Sequence, residues 1–211
     1  MYEESRPRRR QARGERRAAQ LLEAAAEVFT KVGYAAATTN AIARQAGVSP
    51  GTLYQFFPNK EAIAVQLGSL LNHRMAQTHG DAFTPDKAML PLRQVLDATL
   101  DPLIEFNCEN PVFLTLVQDC GMPGRTAEEH HALHGTLLQR VEDLLALRAP
   151  QIAMGARPRI AAMTFGIFKE GLALVLAHDG EQREAYITEL KNAIYGYLAP
   201  YVGTEAFSVS A

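Results

Sequence analysis

Tryptophan is absent from the 211 residues, and cysteine occurs only twice, as Cys108 and Cys120. Neither belongs to a CxxC pair, so the zinc and dithiol chemistries built on such pairs lack their ligands. Two reduced thiols suit a reducing compartment, and a thiol switch is the sharper alternative. Also missing is a charge-free apolar run of about 18 residues. The stretch 160–177 comes nearest, but Lys169 and Glu170 interrupt it, so no membrane partner is expected. The N-terminal arginines lead into polar sequence rather than an apolar signal segment, which places the expected location in the cytoplasm. Alternating β-branched runs and internal repeats are lacking, which disfavours sheets and solenoids. There is no nucleophile elbow, P-loop or dinucleotide fingerprint, so neither an enzyme nor a cofactor is expected.

What is present points to an all-α fold. Ala, Leu, Glu, Arg and Gln dominate, and a 47% apolar content is enough to build a core. The net charge of −2 conceals an asymmetry. Residues 1–60 carry ten Lys+Arg against five Asp+Glu, or +5, and residues 61–211 carry eleven against eighteen, or −7. A basic front on an acidic body suits a polyanionic partner at the front.

Residues 1–14 read as a solvated arm in which Arg6, Arg8, Arg9, Arg10 and Arg13 repel one another, with Pro7 and Gly14 disfavouring helix. A first helix is expected over 15–32, with Ala18, Leu21, Leu22, Ala25, Val28, Phe29 and Val32 on one stripe. Gly33 would end it, with Tyr34 as an apolar contact beyond. Thr39 reads as the cap of a short helix over 40–45, with Ile42 and Ala43 inward. Ala46-Gly47-Val48 is a tight turn, and Ser49 caps a third helix with Pro50 at its first position. That helix ends by Phe57, because Pro58 disfavours helical backbone at the residue before it. Asn59 caps a fourth helix with Ile63, Leu67, Leu70, Leu71 and Met75 on one face. Residues 80–86 read as a loop. Further helices are expected over 87–107, 110–119, 126–148, 157–178 and 181–200. The helix over 157–178 is apolar nearly all round and must be buried on most faces, so an oligomer interface involving the last two helices is expected.

Two short helices joined by a glycine-containing turn form a helix-turn-helix. Ala43 and Ala46 are small enough for close approach, Gly47 accommodates a positive φ, and Val48 and Leu53 plug the space between the helices. The second helix would present its first turn to a DNA major groove, with Gly51 letting the backbone come near. From about Arg16 to Leu71 the chain resembles the DNA-binding domain of the TetR (tetracycline repressor) family. The residues that carry the resemblance are Thr38-Thr39, Ile42-Ala43, Ala46-Gly47-Val48-Ser49, Gly51-Thr52-Leu53-Tyr54, Phe57 and Lys60-Glu61. It implies three parts: an arm over 1–14, a DNA-binding domain over 15–62, and a helical effector-binding and dimerisation domain over 63–211. The homodimer would form through the last two helices.

By position, the resemblance implies that Thr39 caps the second helix and bonds a phosphate. It implies groove contacts by Ser49, Gly51 and Thr52, and a phosphate or base contact by Tyr54. Gln55 and Phe56 fall on the reading side, and Lys60 resembles a phosphate contact. Arg44 is a candidate phosphate contact or a solvated charge. Phe56 stands where many relatives carry His, which replaces a polar contact by an apolar one, such as with a thymine methyl. Pro50 replaces a residue that is often basic. The Arg-rich arm fits a narrow A·T minor groove or simple electrostatic attraction.

The resemblance also implies a small-molecule effector among the middle helices that releases a repressor from a palindromic operator. The candidates for an apolar pocket are Phe106, Phe113, Leu116, Val117, Cys120, Met122, Phe165 and Phe168, with plain core packing as the other reading. Few charges point inward, so a mainly apolar ligand is expected. The stretch EEHHALH places His130 and His134 one helical turn apart near Glu128, but two ligands do not make a metal site. A metal-responsive sensor using this pair, and a binder of the same fold without an effector, are the alternatives.

Overall fold

The helical periodicities become helices. The computed structural model describes residues 5–118 and 125–206, and among these every regular element is helical. The chain divides into two units, one of residues 1–72 with 111–129 and one of residues 73–110 with 130–211.

The first unit contains α1 (Ser5–Ala36), α2 (Thr39–Gln45), α3 (Pro50–Tyr54), the first half of α4 (Lys60–Ala82) and α6 (Pro111–Gln118). Its core forms where the stripes converge: Leu21, Ala25 and Phe29 of α1, Ile42 of α2, Leu53 of α3 and Ile63 of α4 are each fully buried. Tyr34 packs edge-on against Phe29, with ring centroids 5.5 Å apart. Helix α6 packs against α1 and buries Val112, Phe113 and Leu116.

The second unit contains the rest of α4, α5 (Leu92–Glu109), most of α7 (Arg125–Arg148), α8 (Arg157–Leu176) and α9 (Gly180–Val202). Helices α8 and α9 form the most extensive pairing in the unit, and α9 also packs on α5. Gly171 permits the close approach of α8 and α9, because a Cβ there would lie 2.4 Å from Leu190 Cδ1. On the solvent side, Lys191 Nζ clamps Asp97 Oδ1 at 2.8 Å and Asp101 Oδ1 at 2.6 Å.

Several expectations need correction. The arm expected over 1–14 is helical from Ser5 onward. Pro7 lies in the first turn, where a missing N–H leaves no intrahelical bond unmade, and Gln11 Nε2 bonds Glu15 Oε1 one turn on at 3.1 Å. Gly33 breaks α1 as expected, with φ 75°, but a further helical turn carries the chain to Ala36. Val32 and Leu70, expected inward, are exposed. The loop expected over 80–86 is helical to Ala82. The helix expected from 87 begins at Leu92: Lys87–Met89 is a single 3-10 turn, and Pro91 forces Leu90 into extended backbone. Helix α3 ends at Tyr54, although Phe56 N and Phe57 N still bond Leu53 O at 2.9 and 3.0 Å.

Few charges point inward, as expected, and among the described residues the exception is an arginine. Arg148 is buried, donating from Nη1 to the carbonyls of Ala88 (2.7 Å) and Leu90 (2.5 Å) and from Nη2 to Glu205 O (2.9 Å). It ties α7 to the segment before α5 and to the chain beyond α9.

Candidate nucleic-acid interface and ligand cavity

Each part of the α2–α3 hairpin is fixed by local chemistry. Thr38, not Thr39, caps α2: it is extended (φ −126°, ψ 151°), and its hydroxyl accepts from Ala41 N at 3.1 Å. Thr39 begins the helix, which frees its own hydroxyl to pair with Tyr54 OH at 3.0 Å, bridging α2 to α3. At the turn, Gly47 takes φ 65°, and Val48 N bonds Ala43 O at 2.9 Å. Ser49 Oγ accepts from Thr52 N at 3.1 Å and lies 2.9 Å from Thr52 Oγ1. Two contacts absent from the sequence reading brace the turn from α1. Gln20 Nε2 donates to Ala46 O at 2.8 Å, and Gln45 Nε2 donates to Glu27 Oε2.

The residues divide cleanly by exposure. Leu53 and Phe57 are buried. Arg44, Ser49, Gly51, Tyr54 and Gln55 are exposed, and Thr39, Thr52, Phe56 and Lys60 are partly so. Tyr54 retains 52% of its surface, which is unusual for so large a ring and leaves it available to a partner. Lys60 already has protein partners: its ammonium bonds the carbonyls of Tyr34 (2.7 Å) and Ala35 (3.1 Å) and lies 4.5 Å from the centre of the Tyr34 ring. It thereby closes the end of α1, a task that competes with any phosphate for its three donors. Asn59 Oδ1 accepts from Ala62 N at 2.7 Å, starting α4.

The candidate ligand residues disperse. Phe165 and Phe168 line an apolar cavity of ≈ 50 Å³ in the second unit, with walls that include Leu92, Leu96, Leu100 and Leu144. Phe106 is buried in the same unit away from that cavity, with the Arg74 guanidinium 5.8 Å from its ring centre. Phe113 and Leu116 belong to the core of the first unit. The Val117 side chain, Cys120 and Met122 lie outside the described residues. A second, polar cavity of ≈ 180 Å³ adjoins the apolar one and was missed by sequence reading; Arg140, Lys87 and Asp143 are on its wall. His79, also unforeseen, is buried, and its pKa is pushed down to about 4, first by burial and then by the charge of Arg140.

Among the described residues no cluster of three metal-ligating side chains occurs. The His130 side chain is outside them, and His134 packs at a tilt of 54° against Phe165 with centroids 4.3 Å apart; burial first, then His131 and Lys169, lower its pKa. Among the described residues no helix is long and apolar enough to cross a membrane.

The comparisons with known proteins agree with this geometry. Residues 21–67 match the family model described as bacterial regulatory proteins, tetR family, and residues 91–198 match the tetracyclin repressor-like C-terminal domain. The uncharacterized HTH-type transcriptional regulator YhgD of Bacillus subtilis is 32% identical over 99 residues, 47% of this chain and 50% of that protein. The fatty acid metabolism regulator protein of the same organism is 43% identical over 58 residues, 28% of each chain. The chain thus spans half the length of the first relative and less of the second. The crystal structure of a TetR-like transcriptional regulator from Rhodococcus sp. RHA1 superposes with a TM-score of 0.68 at 20% identity, covering 87% of this chain and 96% of that one. The second match alone covers half of the chain, and the helix-turn-helix falls inside the first: the chain belongs to the TetR family of bacterial regulatory proteins.

Proposed function

We propose that the protein is a dimeric repressor that leaves a palindromic operator when a small, mainly apolar molecule occupies the second unit. The observation that carries this reading is the exposed first turn of α3, with Ser49, Gly51, Thr52, Tyr54 and Gln55 outward while Leu53 and Phe57 anchor it inward. A recognition helix so held enters a major groove, with its N-terminal residues at the base edges. Arg44, Thr39 and Tyr54 contact phosphate, Phe56 adds an apolar contact, and Lys60 offers the donor its two carbonyls leave over.

Dimerisation follows from α8 and α9. Met163 and Leu174 of α8 are 54% and 51% exposed, and Tyr201 of α9 is 37% exposed. A helix as apolar as α8 needs a second copy on this side. Two protomers then present recognition helices at successive major grooves, about 34–36 Å apart. The apolar cavity supports the effector reading, and the ligand acts by preferring a conformer that fits the operator poorly. The insertion of α6 between α5 and α7, together with its packing on α1, provides a covalent route to the DNA-binding unit. This is the activity of a cytoplasmic protein.

The test is in vitro transcription from a promoter overlapping a genomic fragment selected by the purified protein. Falling transcript with added protein, restored by a small molecule, supports the reading. A rising transcript would make the protein an activator.

A further inference from the structure

The polar and apolar cavities share Phe83, Thr99 and Leu144 as common wall, so they lie side by side. Their chemistry differs sharply. The apolar cavity has two hydroxyls in its lining, Thr99 and Thr164, and both are spent on their own helices. Thr99 Oγ1 donates to Val95 O and Thr164 Oγ1 to Ile160 O, each at 2.8 Å. What remains for a ligand is hydrocarbon.

The polar cavity has three charged residues in its lining. Asp143 Oδ1 accepts from Gln139 Nε2 at 3.0 Å, and Lys87 Nζ donates to Asp81 O at 2.5 Å. Arg140 has no hydrogen bond or ion pair with any described residue, and its Nη1 is buried without a partner. A buried guanidinium nitrogen with no acceptor is costly, and an anion removes that cost. The neighbouring His79 is held neutral at pH 7 by burial and by Arg140, so it contributes no competing charge. Two cations and one carboxylate leave the wall with a formal charge of +1, which suits one negative charge rather than the two of a phosphate monoester.

We propose that the effector is an amphiphilic monocarboxylate. Its carboxylate takes the Arg140 fork in the polar cavity, and its apolar body passes Phe83 to lie between Leu96 and Phe168. A planar carboxylate matches the paired donors of a guanidinium, which a point-like cation would not reward. This proposal rests on the effector reading above and specifies its ligand class.

The probes are octanoate and 1-octanol, which differ chiefly in the charged head, titrated into the full-length protein by calorimetry. Octanoate should bind at least tenfold more tightly than octanol. Arg140→Gln should abolish that preference and leave octanol binding unchanged, with unaltered operator affinity as the check that the variant folds. Asp143→Asn, which raises the wall charge, should tighten octanoate severalfold, a gain that misfolding cannot produce. Equal affinity for the two probes, no binding of either, octanoate affinity undiminished by Arg140→Gln, or no tightening with Asp143→Asn overturns the proposal. Octanoate binding that depends on Arg140 but leaves operator affinity unchanged sinks the effector reading and leaves the site intact. Operator release by octanoate that survives Arg140→Gln does the reverse.

Discussion

Replacing Tyr54 by Phe removes one oxygen from the α3 surface and should separate folding from DNA binding. The hydroxyl lies 3.0 Å from Thr39 Oγ1, and the side chain is half exposed. Water replaces such a bond readily, so the folding cost should stay at the low end of the usual range, about 0.5 kcal/mol. In the proposed complex the hydroxyl would meet a charged phosphate, where a hydrogen bond contributes about 1.5–3 kcal/mol, or roughly 10–100-fold in affinity. Thr39→Val should lose part of the same energy, because the two hydroxyls position each other. The double variant should then be less than additive. The assay is fluorescence anisotropy with an operator fragment across a salt series, paired with urea unfolding. Tyr54→Phe should leave the salt slope unchanged, since it removes no charge, whereas Arg44→Gln should lower the slope by about one phosphate contact. Wild-type operator affinity in Tyr54→Phe would refute the placement of this face against DNA.

Three further outcomes follow from other residues. Lys60→Met should destabilise the first unit by about 1–3 kcal/mol in urea unfolding, through two orphaned carbonyls at the end of α1. His79 is neutral in the fold because its pKa is lowered from 6.5 to about 4. The unfolded chain therefore takes up the proton first, and stability should fall by about 3 kcal/mol as pH drops from 6.5 to 4. His79→Gln should flatten that window in melts followed by circular dichroism. Leu174→Glu, on the exposed side of α8, should leave monomers by light scattering while the helical content persists; an intact dimer would move the interface elsewhere.

The segment from Gly47 to Lys60 was legible because its punctuation is local. A serine before a proline starts a helix, a proline before an asparagine stops one and starts the next, and a glycine turns the chain at Gly47. The second cap was not legible, because Thr38 and Thr39 carry the same chemistry and only backbone conformation decides between them. The arm was misread because a run of arginines argues repulsion, whereas the described backbone from Ser5 is already helical and its one proline lies in the first turn. Tertiary placement hid the rest. Arg140 and Arg148 look like solvated charges on a helix rich in polar residues, and only the fold turns Arg148 into a buried tie and brings Arg140 to a cavity. The aromatics of the middle helices read alike, yet Phe113 belongs to the core of the first unit and Phe168 to a cavity wall in the second, a division that no periodicity reports.

In the proposed dimer, paired α2–α3 hairpins read the two halves of one operator. Anisotropy at physiological salt, with a palindrome recovered from genomic fragments and the same palindrome carrying five extra central base pairs, tests it directly. Nanomolar binding to the first and a loss of at least a hundredfold for the second are expected, because half a helical turn carries one groove to the far side of the duplex. Equal affinity for both, or for scrambled DNA of the same length, would contradict it.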